Sequence, residues 1–133
     1  MGKKTTRQIH PLWLALGAWL CPGAGHYLLE KRYRAAFFFV AVGVLFWTGI
    51  LLKAYFTYPN TPGESFALFK FLGGLASGAH FILALLLGQG GGDLDVLKAS
   101  LSNEYGNTCL FTAGILNVLM VVDALNIQAG RSK

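Results

Sequence analysis

Four residues could do chemistry inside a lipid bilayer: Lys70, His80, Asn117 and Asp123. Each sits in otherwise apolar sequence, where a charged side chain is unfavourable by about 3 kcal/mol or more at the bilayer centre. A residue held there needs a partner or a task. Lys70 stands near the start of the apolar segment 66–88, and Asp123 near the end of segment 108–127. If these segments are consecutive antiparallel spans, the two side chains lie at one depth, which predicts an ion pair or a contact through one neighbour. In the alternative, Lys70 reaches the headgroups and Asp123 bonds to local backbone and the basic tail. The same reasoning brings His80 and Asn117 together as an interhelical hydrogen bond. Lys70, His80 and Asp123 could instead form a proton or ion path, although one His and one Asp at different depths make a poor wire.

Other chemistries find little support. His10 and His26 flank the first apolar segment, but a metal site needs more ligands than these, so no metal is expected. Cys21 and Cys109 read as small apolar side chains. Gly90, Gly91 and Gly92 could suggest a phosphate loop, but no Lys-Ser/Thr follows, and a linker is expected. Asp93, Asp95 and Glu104 are the only acidic group a membrane enzyme could use on a headgroup. No catalytic constellation, cofactor box or nucleic-acid module is present, so the chain is read as non-enzymatic, without a cofactor, and with no identifiable small-molecule substrate.

The elements that must position these residues follow from composition. Of 133 residues, 54% are hydrophobic and 13% charged, with a mean hydropathy of +0.51. Soluble domains are about 25% charged, so this chain has too few polar side chains to cover a water-facing surface. A span needs about 20 apolar residues. The sequence predicts spans over 34–53, 66–88 and 108–127, between a basic tail at 1–10 and another at 128–133. Residues 89–107 read as a loop with a short interfacial helix, in which Leu94, Leu97 and Leu101 recur at helical spacing and Asp93 is a plausible cap.

The first segment, 11–29, is interrupted by Pro22, Gly23 and Gly25 before His26. It is either a broken span or a re-entrant hairpin. Re-entry sets Lys3, Lys4, Arg7, Lys31, Arg32 and Arg34 on one side, the sharper asymmetry, but with three further spans it leaves Arg131 and Lys133 on the other. A stripe of small residues, Gly73, Gly74, Ser77 and Gly78, with Gly114 on the last span, predicts close helix packing and a candidate docking face within the chain or for a second copy.

The run Pro22-Gly23-Ala24-Gly25-His26, then Leu28-Leu29, a basic cluster and a long apolar span, resembles the TM-two domain family. The closing stretch from Glu104-Tyr105-Gly106-Asn107 to Asp123-Ala124-Leu125-Asn126-Ile127 is similar to the last helix of bacterial multi-pass proteins of unknown function. Glu30 and Ala35 stand where the TM-two family has glycines, and the aromatic Tyr27 comes one place early. The resemblance implies a small bacterial inner-membrane module and no settled activity. The expectation is an all-helical bundle of three to four apolar helices in the cell membrane, among lipids and without nucleic acid. Its expected role is structural or accessory, packed on partner membrane proteins or itself. The alternative is a small oligomeric transporter using Lys70, His80 and Asp123.

Overall fold

The computed structural model describes residues 9–56, 58–59, 67–91 and 101–130. The regular elements among the described residues are all helices, with no strand: α1 (Pro11–Leu20), α2 (Ala24–Leu28), α3 (Arg32–Leu51), α4 (Ala67–Ala76), α5 (Ala79–Leu86) and α6 (Leu101–Gln128). Two of them, α3 and α6, are long and apolar enough to cross a membrane, and the bent pair α4–α5 would make a third if it were one span. Asp93, Asp95, Leu94 and Leu97 lie outside the described residues. The expected loop 89–107 is corrected at its end, since 101–107 form the first turns of α6. Only Leu101 and Glu104 in that stretch are good helix formers, and contact with the end of α3 supports the rest: Gly106 packs on Gly49 and Ser102 donates to Leu52 O.

The α6 helix serves as a ruler for the rest. Near its start Ser102 donates to Leu52 O (3.1 Å) and Gly106 packs on Gly49, while near its end Asp123 meets Arg34 at 4.0 Å. Thus α3 runs antiparallel to α6. The α1 helix is also antiparallel to α6, with Ile9 bonded to Gln128 and Trp19 to Asn117. By contrast α4 runs parallel to α6: Gly73 packs on Phe111 and Gly114, and Ala76 bonds to Asn117.

Two breaks fold short helices back on themselves. Pro22 lacks an N–H and disfavours helix at Cys21, which is extended (φ −122, ψ 107), so α1 stops there. Gly23 (φ +86) then turns the chain against the Ala35 carbonyl of α3, where a Cβ would collide. In the second hairpin Gly78 (φ +63, ψ −124) adopts a backbone open to glycine, and α4 and α5 meet at 103°. Both ends of α4–α5 touch the chain just after α3. Lys70 lies over the Tyr55 ring (5.7 Å) and Phe56 N donates to Gly90 O (2.9 Å). Both ends of α1–α2 lie at the opposite end of the bundle, beside Gln128 and Asp123.

The core fills the space between α3, α5 and α6, with Val42, Phe46, Phe81, Ala84, Leu110 and Met120 buried. Outside it the surface is apolar. Less than a third of the apolar stretch of α3 and about a third of that of α6 is buried, which leaves side chains such as Phe37, Val40 and Leu119 facing outward, as Trp13 of α1 and Leu86 of α5 also do. Such a surface suits acyl chains and not water.

Candidate functional site

The hairpin tips meet at the middle of α6. The C-terminal carbonyls of a helix have no partner within it, and buried ones need one from elsewhere. Here Asn117, fully buried, donates both protons of its amide across the junction: Nδ2 reaches Trp19 O of α1 at 2.9 Å and Ala76 O of α4 at 2.8 Å. Trp19 Nε1 adds a bond to Leu75 O (3.2 Å). Gly78 comes so close to the Trp19 and Leu20 carbonyls that a side chain there would strike backbone. One side chain on a continuous helix thus ties the ends of two interrupted ones.

A second polar cluster sits at the α1–α2 end. His26, 1% exposed, donates from Nε2 to Asp123 Oδ2 at 2.9 Å, and its ring lies against Phe38 (4.9 Å between centroids). Arg34 stands 4.0 Å from the same carboxylate oxygen, and Asp123 is 38% exposed. The break at Pro22-Gly23 aims His26 at α6: Gly25 packs between Ala18 and Ala124, with room for no Cβ (2.8 and 3.0 Å).

The expected Lys70–Asp123 pair is therefore corrected. It assumed antiparallel spans, whereas α4 runs parallel to α6, so Lys70 lies beside Glu104 and Asn107, about 24 Å along the helix from Asp123 at 1.5 Å per residue. The expected His80–Asn117 bond is corrected too. His80 is buried against Phe39 and Phe46 of α3, with the Ser77 backbone at its ring, while the Asn117 amide is directed at α1 and α4. Neither His80 Nδ1 nor Asn117 Oδ1 has a hydrogen bond of good geometry among the described residues. Lys70, His80 and Asp123 thus stand at three separate places and form no common path.

The small-residue stripe is used within the chain. Gly73 meets Phe111, Gly74 meets Phe81, Gly114 lies on Gly73, and Ser77 Oγ donates to Gly73 O (3.4 Å). Gly73 also borders a cavity that opens between α4 and α6. Three contributors escaped the sequence reading: Trp19, Arg34 and the pairing of His26 with Asp123. A helix-end carbonyl has no sequence signature. His26 and Asp123, each the only His, Asp, Glu, Lys or Arg of its apolar stretch, did carry a signal, since buried polar groups seek one another. Among the described residues no three of His, Cys, Asp and Glu gather as a metal site would require.

The model of a family of unknown function (DUF6677) matches residues 13–133, and the chain belongs to that family. No curated protein matches the chain. No solved structure matches it either.

Proposed function

For a member of a family without an assigned activity, we propose an integral membrane protein with a structural or accessory role. In this reading α3 and α6 span the bilayer, and α1–α2 and α4–α5 are re-entrant hairpins entering from opposite faces. Each ten-residue arm, α1 or α4, is about 15 Å long, half of a hydrocarbon core about 30 Å thick. The charges agree with it. Ile9 and Gly130, the first and last described residues, lie with Lys31, Arg32 and Arg34 at one end of the bundle, and eight of the eleven cations are these three or belong to the sequence before Ile9 and after Gly130. That end is cytoplasmic by the positive-inside rule. The conflict over Arg131 and Lys133 disappears because α4–α5 returns to the side it came from.

The observation that carries the accessory role is where the internal polar groups point. Asn117, His26, Asp123, Asn107, Ser102 and Gln128 each hold one element to another. The family's place in a bacterial inner membrane, and a TM-two-like ancestry for α1–α3, belong to the same proposal. It is tested by a mild-detergent pull-down of the tagged chain from its native membrane. Recovery in a stoichiometric complex with another membrane protein is expected. Recovery alone, at every detergent strength, would count against the role.

One observation favours a second reading, transport of a small cation: two half-helices present their carbonyl ends to each other at the middle of the bundle, an arrangement that can coordinate ions. It predicts cation flux in liposomes above the protein-free background. Absence of flux for Na⁺, K⁺ and protons would end it.

A further inference from the structure

The seam between α4 and α6 carries a groove open to the side of the molecule. At its outer end a cavity of about 380 Å³ is lined by Phe69, Lys70, Glu104, Asn107, Thr108 and Phe111. A second cavity of about 270 Å³ shares Phe111 and runs on toward the hairpin tips between Leu72, Ala76, Ile115 and Val118. The outer end carries both signs of charge, and the inner end is wholly apolar. The Lys70 ammonium, beside the outer cavity, also lies over the Tyr55 ring at 5.7 Å. From Asn107 to Val118 the seam is about 16 Å long at helical rise, close to the half-thickness, about 15 Å, of a hydrocarbon core.

We infer that this groove holds one phospholipid whose headgroup carries a primary ammonium, an inference that rests on the membrane reading above. Lys70 faces the phosphate, Glu104 accepts from the ammonium, and an acyl chain lies along the groove past Phe111. A charge pair at the mouth suits a zwitterionic headgroup better than an anionic one, which would meet the Glu104 carboxylate. A quaternary ammonium has no N–H to donate to it. A partner helix, about 10 Å across with its side chains, would rest on the rim of cavities this small instead of filling them.

The test uses the full chain purified in mild detergent and exposed to equal amounts of phosphatidylethanolamine, phosphatidylcholine and phosphatidylglycerol of the same chain length, with bound lipid counted by native mass spectrometry. Phosphatidylethanolamine is expected to be retained roughly tenfold better than either competitor, the scale of one charge-assisted hydrogen bond. Glu104→Gln should collapse that preference while lipid remains bound, and Ile115→Trp, which fills the inner groove, should lower retention of all three. Equal retention of the three lipids by the wild-type chain overturns the inference, whatever the variants do. So does a preference that survives Glu104→Gln, or a lipid-free dimer that protects the seam. Failure of the membrane reading itself would be seen separately, as release of the protein from membranes by alkaline carbonate.

Discussion

At the scale of single residues, Asn117 is the side chain with most to lose. Replacing it by Ala leaves the carbonyls of Trp19 and Ala76 buried without a donor, at about 1–3 kcal/mol each in the general case and toward the lower end inside a membrane. Asn117→Asp keeps the shape but turns an oxygen toward each carbonyl. Thermal unfolding in detergent should therefore rank wild type above Asn117→Ala and Ala above Asp; an Asp variant as stable as wild type would mean the amide is a spacer only. The His26–Asp123 bond makes a different prediction. A double-mutant cycle with His26→Ala and Asp123→Ala should return a coupling of about 0.5–2 kcal/mol, and additive losses would deny the contact. The same cycle on Lys70 and Asp123 should return none.

At the scale of elements, the breaks decide the architecture. Gly23 and Gly78 combine a left-handed backbone with a carbonyl in van der Waals contact, so Gly78→Ala is strained and clashes at once. Gly17, in mid-helix with nothing near, is the control: Gly17→Ala should be neutral or stabilising by about 0.5–1 kcal/mol. Gly78→Ala should instead cost several-fold more in folded yield, and equal behaviour of the two variants would mean the α4–α5 turn is not built as described. The turn after α2 makes the opposite prediction. Lys31 N bonds to His26 O (2.8 Å) around Glu30, whose φ is +62, the left-handed residue of a helix-ending motif. Glu30→Gly should then raise stability by up to about 1 kcal/mol, as read by the shift in the unfolding midpoint. Glu30 is where the TM-two resemblance expects a glycine, so the backbone keeps the turn although the side chain does not favour it.

At the scale of the whole molecule, the helical class and the long apolar helices were legible in the sequence because lipid imposes a length and a composition on them. The break at Pro22-Gly23 was legible too, since proline and glycine act locally. The path of segment 66–88 was not. Its apolar run is long enough to cross, and nothing in Gly73-Gly74 or Ser77-Gly78 says by itself whether a helix kinks slightly or returns. Here Gly78 at positive φ decides it, and the decision is tertiary: the Trp19 carbonyl leaves space for no other residue. Once that segment was taken to cross, Lys70 and Asp123 were placed together and His26 was left without its partner. One wrong direction thus displaces most of the site, although its polar residues Asn117, His26 and Asp123 are all legible in the sequence.

In the proposed topology two hairpins enter from opposite faces and meet at Asn117. Single cysteines placed at His10, Lys31 and Ala129, and at Lys53, Pro59 and Gln89, in a chain with Cys21→Ser and Cys109→Ala, would be reacted with a membrane-impermeant maleimide from each side of oriented vesicles. The first three should label from one face only and the last three from the other. Labelling of His10 and Lys31 from opposite faces, or of Pro59 and Gln89 from opposite faces, would show a hairpin crossing the membrane and would contradict that topology.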